Sequence, residues 1–215
     1  MEPPQQEKNF YISISGVMGS GKTTISRLIA KELGFHLLEE NFQANIYLPR
    51  YYEDPKSWAF HSQLFYLREK TAQLLKLKEL LGYQNVVQDT PIYQDVFTYA
   101  KAQTVLGYMN ESEHNLYHKF YDLFREELPH PDLIIQLDAS VPTIVERIKR
   151  RGRDFERKID TDYLEMLAKL QEEWLQGNPN IKVIRVKTDD AASDIVNNEA
   201  YREKFISEIK NALVI

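Results

Sequence analysis

The chain has 215 residues, enough for one α/β domain with a substantial buried core. Its formal net charge is −5 at pH 7, so it lacks the basic surface that polynucleotide binding usually requires. It has no cysteine, which excludes disulfides, thiolate metal sites and cysteine nucleophiles. No stretch approaches the roughly 18 apolar residues of a membrane span, and residues 1–9 form a polar, proline-containing flexible tail without signal-peptide character. We therefore expect a soluble, cytoplasmic protein with neither membrane nor polynucleotide partners.

Short β-rich or apolar runs alternate along the chain with segments of helical periodicity. Strands are predicted at 10–15, 35–38, 85–88, 133–137 and 181–186. Helices are predicted at 22–33, 55–81, 94–106, 113–128, from Ser140 onwards, at 161–175 and at 199–213, while 39–54 is expected to be irregular. This alternation predicts a three-layer α/β fold, in which helices cover both faces of a five-stranded parallel sheet. Because no linker or repeat divides the chain, we expect residues 10–215 to form a single domain.

A glycine-rich loop follows the first predicted strand and opens the first helix. Residues 16–23 match the pattern G-x-x-x-x-G-K-[ST] completely. In such a loop the backbone N–H groups point at phosphate oxygens, and the N-terminus of the following helix favours negative charge. The lysine can contact the β- and γ-phosphates and the hydroxyl can bind Mg²⁺. The candidate nucleotide-binding residues are therefore Gly16, Gly19, Ser20, Gly21, Lys22, Thr23 and Thr24. By itself this motif does not separate a kinase from a GTPase or a regulatory ATPase.

Two groups of polar residues lie around the start of the long helix. Glu39 and Glu40 come directly after the second strand, where a carboxylate can accept a proton from a hydroxyl. The segment from Tyr52 to Gln63 has the sequence YEDPKSWAFHSQ, and Lys70 lies seven residues later on nearly the same helical face. These residues can contribute a general base and hydrogen-bonding groups to one site.

Two further groups follow the third and fourth strands. Asp89 begins the segment DTPIYQD, which ends at Asp95. The string RIKRRGR runs from Arg147 to Arg153 at the end of a helix, and Glu156 follows it. Guanidinium groups suit phosphate oxygens geometrically and balance charge that spreads onto a transferred phosphoryl group.

In order and spacing these groups resemble the deoxynucleoside kinase family, especially its bacterial deoxyadenosine/deoxyguanosine kinase branch. The resemblance covers nearly the whole chain after the tail. It implies a P-loop kinase fold, ATP and Mg²⁺ as cofactors, a homodimer, and transfer of the ATP γ-phosphate to the 5′-hydroxyl of a deoxynucleoside, with purines favoured.

The resemblance also implies roles for single residues. Glu40 would be the general base, and Lys22 and Arg151 would complete the candidate catalytic set. Asp89 would lie beside Mg²⁺ together with Thr23. The implied substrate contacts are Tyr52 to the sugar 3′-hydroxyl, Gln63, Lys70 and Asp95 to the nucleobase, and Glu156 near the sugar. The implied ATP phosphate contacts are Arg147, Arg151 and Arg153, in a lid at about 147–160.

The chain departs from the family pattern at three positions. Asn41 replaces the proline that usually follows the base, which leaves Glu39 as a competitor of Glu40. Thr90 replaces an arginine and so removes a cation expected beside the transferred phosphate. Lys70 stands where the family more often has arginine, and lysine lacks the planar guanidinium fork.

Two alternatives stay open at this point. One is a nucleoside monophosphate kinase resembling thymidylate kinases, for which Arg50 or Arg68 would have to bind the acceptor phosphate. The other is a non-catalytic relative that binds nucleotide and acts as a partner or regulator.

Overall fold

A computed structural model describes residues 8–156, 159–189 and 194–215. Its five strands are β1 (Tyr11–Ser15), β2 (His36–Leu38), β3 (Val86–Asp89), β4 (Leu133–Asp138) and β5 (Val183–Lys187). They form one parallel sheet in the order β2-β3-β1-β4-β5. The predicted α/β fold with a five-stranded parallel sheet is therefore confirmed.

Helices surround the sheet in the order that the sequence predicts. They are α1 (Lys22–Leu33), α2 (Leu48–Glu53), α3 (Pro55–Leu80), α4 (Ile92–Gln94), α5 (Lys101–Val105), α6 (Glu111–Phe124), α7 (Val141–Arg151), α8 (Thr161–Gly177) and α9 (Glu199–Leu213). A π-helical segment, Asp95–Ala100, joins α4 and α5 without a break. Within the described ranges, no helix is long and apolar enough to cross a membrane.

The long helix α3 shows why the boundaries lie where they do. The Asp54 carboxylate accepts a hydrogen bond from the Ser57 N–H (3.4 Å), and Pro55 occupies the first helical position. The first backbone N–H groups of a helix have no partner inside it. Both features favour a helix start, because the Asp54 carboxylate binds one of these groups and Pro55 has no N–H.

The two faces of the sheet carry separate hydrophobic cores. Tyr11 of β1 packs with Leu77 of α3 on one face. Ile14 of the same strand packs with Ile29 of α1 and Ile209 of α9 on the other. All five side chains are at most 1% exposed. Burying an aliphatic side chain of this size stabilises a fold by about 1.5–3 kcal/mol, so these contacts hold the three layers together.

Three predicted boundaries need correction. The region 39–54 is not irregular throughout, since it contains a 3₁₀ turn at Phe42–Ala44 and the helix α2. The helix predicted at 94–106 begins at Ile92 and includes the π-helical segment. The helix predicted at 113–128 is α6, which ends four residues early and is followed by a 3₁₀ turn at Arg125–Glu127.

The predicted flexible tail is only partly within the described ranges. Residues 1–7 lie outside them. The Lys8 ammonium is paired with the Asp132 carboxylate, and the Asn9 side-chain amide donates to the Leu81 carbonyl (3.0 Å).

Because the strands are parallel, their carboxyl ends meet at one edge of the sheet. The glycine-rich loop follows β1, Glu39 and Glu40 follow β2, and Asp89 ends β3. Ligands of open α/β sheets bind beyond such carboxyl ends. The sheet topology therefore collects the predicted site residues at one edge.

Candidate active site

A cavity of about 960 Å³ opens at the carboxyl ends of the strands. Of the predicted site residues, Gly16 and Lys70 are the two that do not line it. Those that do are Gly19, Ser20, Gly21, Lys22, Thr23, Thr24, Glu40, Tyr52, Gln63, Asp89, Asp95, Arg147, Arg151, Arg153 and Glu156. The fold thus brings residues from six separate segments of the chain around one space.

The glycine-rich loop closes over its own lysine. Gly16 has a φ of 145°, and an added Cβ would lie 2.8 Å from the Leu137 carbonyl oxygen, so this position requires glycine. The Lys22 ammonium donates to the carbonyls of Gly16 (2.7 Å) and Val17 (3.3 Å). Burial lowers the pKa of the Lys22 side chain, although the carboxylates of Asp89 and Glu40 act in the opposite direction. The loop is therefore held in a curved conformation before any phosphate binds.

Gln94 holds this loop from outside, a role that the sequence analysis did not predict. Its amide oxygen accepts from the Gly16 N–H (3.1 Å), and its amide nitrogen donates to the Gly16 carbonyl (2.7 Å). The same oxygen accepts from the Ser15 hydroxyl (3.2 Å), which in turn accepts from the Gln171 amide (2.9 Å). Gln94 is fully buried, so these bonds satisfy polar groups that have no access to water. A pairing across 78 residues leaves no local pattern that could have indicated it.

Thr23 and Asp89 meet at the other side of the loop. The Thr23 hydroxyl donates to the Asp89 carboxylate (2.6 Å), and the Thr90 hydroxyl donates to the second oxygen of the same carboxylate (3.1 Å). Thr90 has a φ of 65°, which is uncommon for a β-branched residue, and such strain is typical of functional sites. A carboxylate and a hydroxyl oxygen at this separation are hard oxygen ligands of the kind that Mg²⁺ prefers.

The two glutamates after β2 have different partners. Glu39 is paired with the exposed Arg27 through two contacts of 2.5 and 2.8 Å. Glu40 instead lies 3.3 Å from the buried ammonium of Lys70, which also donates to the Asp89 carbonyl (2.9 Å). Glu39 is thus bound to a surface cation, whereas Glu40 is linked to the residues around the phosphate loop.

Two buried acceptors that line the cavity have no hydrogen-bond partner among the residues that the structure describes. These are the side-chain oxygens Oε1 of Gln63 and Oδ2 of Asp95, both on residues at most 6% exposed. Burial raises the pKa of Asp95 to about 8, although the ammonium groups of Lys70 and Lys22 act to lower it. Buried polar groups are normally hydrogen-bonded, so this pair indicates the place of a ligand. Further cavity residues that the sequence did not single out are Tyr66, Tyr99 and Tyr163.

The arginines of the predicted lid bind protein groups in this structure. Arg151 and Arg153 both contact the buried carboxylate of Glu156, at 2.5 and 3.2 Å. The Arg153 guanidinium also stacks 3.4 Å from the centroid of the Phe42 ring. Phe155 of the predicted lid lies against Tyr52, with ring centroids 5.0 Å apart. Residues 157–158 of the predicted lid lie outside the described ranges.

Arg147 has a different position from the other two lid arginines. Its guanidinium donates to the Ser20 carbonyl (3.2 Å) and the Thr188 hydroxyl (2.9 Å), and also to the Thr188 carbonyl. It therefore connects the glycine-rich loop to the segment after β5.

The chain is similar to known kinases over nearly all its length. The sequence profile of the family described as deoxynucleoside kinase matches residues 12–214. Deoxyguanosine kinase of Bacillus subtilis (strain 168) is 33% identical, over 95% of this chain and 98% of the relative. Deoxyadenosine/deoxycytidine kinase of the same organism is 30% identical, over 96% and 94%.

A solved structure has the same fold. Deoxyadenosine kinase from M. mycoides with bound dCTP superposes with a TM-score of 0.78 and 28% sequence identity, covering 94% of this chain and 99% of that one. The glycine-rich loop and the carboxylates that follow β2 and end β3 agree with this likeness. The chain belongs to the deoxynucleoside kinase family, whose members are phosphotransferases that act on deoxynucleosides.

Proposed function

We propose that this enzyme transfers the γ-phosphate of ATP to the 5′-hydroxyl of a deoxynucleoside, with purine nucleosides favoured, in nucleotide salvage. One observation carries the proposal. The same cavity is lined by a phosphate loop and by two buried acceptors, on Gln63 and Asp95, for which the described part of the chain offers no hydrogen-bond partner. A nucleoside bound there would place its base at those acceptors and its sugar towards the loop. The purine preference is supported by relatives named deoxyguanosine kinase and deoxyadenosine/deoxycytidine kinase.

The proposed reaction needs one proton transfer and one phosphoryl transfer. The Glu40 carboxylate accepts the proton of the 5′-hydroxyl, while the 5′-oxygen bonds to the γ-phosphorus and ADP leaves with the electron pair of the broken P–O bond. Lys22 and the backbone N–H groups of its loop hold the phosphates in line with the acceptor. Arg151 and Arg153 exchange their contacts with Glu156 for phosphate oxygens when ATP binds.

Thr23 and Asp89 would hold Mg²⁺, with their two oxygens 2.6 Å apart. When bound, the ion would supply positive charge that offsets the negative charge of the ATP phosphates.

The nucleoside is expected to be held along the cavity from sugar to base. Tyr52 would contact the 3′-hydroxyl and Glu156 would lie near the sugar. The Gln63 amide offers a donor and an acceptor to the base edge, and Asp95 lies beside it. A nucleobase contact by Lys70 stays a prediction.

Phosphorylation of a nucleoside monophosphate is less compatible with this cavity. Arg50 and Arg68 do not line it. Arg50 stacks on Trp58, 4.7 Å from a ring centroid, and Arg68 is paired with Glu69 on the surface. The two cations that this alternative requires are therefore engaged outside the cavity.

We also propose a homodimer that uses the outer face of α6. Leu116, Phe120 and Leu123 are 45%, 38% and 70% exposed on this face, whereas Tyr117 and Tyr121 of the same helix are buried in the core. Sedimentation velocity should give twice the chain mass, and Leu123→Glu should give the monomer. Leu75→Glu on α3, where the leucine is 42% exposed, is the matched control and should remain dimeric. A monomeric wild-type chain would refute the dimer.

Residues 10–215 would act as one domain in which a lid at about 147–160 closes over ATP. The cytoplasmic location expected from the sequence stays a prediction.

The test of the proposed function is ADP release from Mg–ATP with each of the four common deoxynucleosides and, separately, with dTMP. We expect turnover with deoxyadenosine or deoxyguanosine above that with the pyrimidines, and none with dTMP. Turnover with dTMP alone would instead indicate a monophosphate kinase. No ADP release with any acceptor, while ATP still binds, would indicate that the chain is a non-catalytic relative that binds nucleotide.

A further inference from the structure

A buried ammonium group joins the ends of two strands beside the reaction centre. Lys70 of α3 is only 3% exposed, and its ammonium donates to the Asp89 carbonyl (2.9 Å) and lies 3.3 Å from a Glu40 oxygen. A buried ammonium is unfavourable unless it is paired and hydrogen-bonded. Both partners of Lys70 are residues that carry the proposed chemistry, so its location is connected to the reaction.

The surface of α3 around Lys70 is fixed to the same two strands. Gln73, one turn along the helix, donates its amide to the Glu39 carbonyl (3.0 Å) and accepts from the Gln88 amide (2.6 Å). The helix therefore holds the chain at the carboxyl ends of both β2 and β3. This anchoring sets the position of the Lys70 ammonium relative to Glu40 and Asp89.

The balance of charge around Lys70 also bears on its role. The charged groups that act on buried Asp95 are the ammonium groups of Lys70 and Lys22 and the carboxylates of Glu40 and Asp89. With Asp95 itself, this cluster holds three carboxyl groups and two cations. Phosphoryl transfer brings further negative charge into this region, so the loss of either cation should be costly.

The side chain of Lys70 is not among those that line the cavity, although Gln63 and Asp95 are. Its ammonium is already engaged by groups beside the phosphate loop. Two of its three N–H donors are accounted for by the Asp89 carbonyl and the Glu40 carboxylate.

We propose that Lys70 is a positioning residue for phosphoryl transfer: it holds the Glu40 carboxylate and supplies positive charge at the reaction centre, whichever nucleobase is bound. This inference rests on the proposed function. In the step, the 5′-hydroxyl proton moves to Glu40, the bond from the 5′-oxygen to the γ-phosphorus forms, and the bond from that phosphorus to the β,γ-bridging oxygen breaks.

Lys70→Gln tests the inference, because glutamine can still donate a hydrogen bond but carries no charge. We expect kcat to fall by about 10²-fold with every deoxynucleoside, with KM values within about threefold and the order of base preference unchanged. Lys76→Gln, on the exposed side of α3, is the matched control and should behave as wild type. A kcat within threefold of wild type, or losses that differ widely between bases, would overturn the inference. The second result would make Lys70 a nucleobase contact.

A chemical rescue separates charge from packing, even where Lys70→Gln folds poorly. The chain has no cysteine, so Lys70→Cys would contain a single thiol. Alkylation with 2-bromoethylamine in denaturant, followed by refolding, forms a C–S bond with loss of bromide and gives a lysine analogue with sulfur in place of the γ-methylene. Alkylation with iodoacetamide gives a neutral side chain of similar size. We expect the amino derivative to recover at least tenfold more kcat than the amide derivative, relative to identically treated wild type. Equal kcat values would overturn the inference.

The two hypotheses fail in different ways. A wild-type enzyme that phosphorylates none of the deoxynucleosides refutes the proposed function, and the role of Lys70 with it. An active wild-type enzyme that tolerates loss of the Lys70 charge refutes this inference alone.

Discussion

The two ends of the cavity differ in how their polar groups are satisfied. At the donor end, the backbone of Gly16 is hydrogen-bonded through both its N–H and its carbonyl, and Lys22 and Thr23 have protein partners. At the proposed nucleoside end, buried oxygens of Gln63 and Asp95 have no partner within the described ranges, and at the donor end the same holds for the Ser20 hydroxyl alone among the side chains of the loop. Leaving a buried acceptor unpaired costs about 1–3 kcal/mol, and raising the pKa of a carboxyl group adds to that cost.

This difference matches what the two ends have to recognise. Phosphates are bound by a curved backbone, and that curvature can be built before the ligand arrives. A nucleobase is distinguished by its pattern of donors and acceptors, so the protein groups facing it must be free to bind it. Selectivity of this kind is strong because the wrong base leaves protein groups unpaired. We therefore expect the donor end to be largely preformed and the proposed nucleoside end to be completed by its substrate.

The largest effect on activity should come from removing the side chain that supports the phosphate loop. Gln94→Leu removes both bonds to the backbone of Gly16 and leaves its N–H buried and unpaired. We expect kcat/KM for ATP to fall by about 10²-fold, while KM for the deoxynucleoside changes less than about threefold. Steady-state kinetics with each substrate varied in turn check this. Equal losses for the two substrates would show that the ends are not independent.

The second prediction concerns stability at the nucleoside end. The pKa of Asp95 is raised to about 8 in the folded protein, from an ordinary value of 3.8. Between these values the unfolded chain has lost a proton that the folded chain keeps, so folding becomes less favourable as pH rises from about 4 to 8. Asp95→Asn removes this penalty. We expect it to raise the free energy of unfolding by on the order of 3 kcal/mol at pH 8, with little change at pH 4.

The same substitution should lower activity, although it raises stability. Asp95→Asn should lower kcat/KM for the preferred deoxynucleoside by roughly 10-fold or more, since residues that perturb stability at a binding site are commonly kept for function. Denaturant unfolding at the two pH values and kinetics on the same protein give both quantities. An Asp95→Asn variant that is less stable than wild type at pH 8, or that has wild-type kinetics, would contradict the assignment of Asp95 to the nucleoside site.

How well the sequence predicted each part depends on how local the determining contacts are. The glycine-rich loop is a contiguous motif between a strand and a helix, and its residues from Met18 to Thr23 line the cavity. The five strands were also predicted within a few residues, because short apolar runs bounded by turn residues identify them.

Contacts between distant residues were beyond sequence reasoning. Gln94 lies 78 residues from the loop that it supports, and its neighbours in the chain give no sign of this. The π-helical segment Asp95–Ala100 does not change the apolar pattern either, so the predicted helix gave no warning of it. The partners of Lys70 likewise come from two strands that only the folded sheet brings together.

The adjacent residues Glu39 and Glu40 show the same limit of prediction from the sequence. Sequence alone left Glu39 as a competitor for the role of general base. In the structure Glu39 is paired with Arg27 at the surface, while Glu40 faces Lys70.

The most direct test of this account is therefore single-turnover transfer of the γ-phosphoryl group from ATP to the preferred deoxynucleoside by Glu40→Gln and Glu39→Gln. Product identity is checked as the deoxynucleoside 5′-monophosphate. We predict a rate about 10³-fold below wild type for Glu40→Gln, within the range for loss of a general base, and a rate within about threefold of wild type for Glu39→Gln. A Glu40→Gln enzyme that still forms the 5′-monophosphate at the wild-type rate would contradict the assignment of Glu40 as the base on which the proposed chemistry rests.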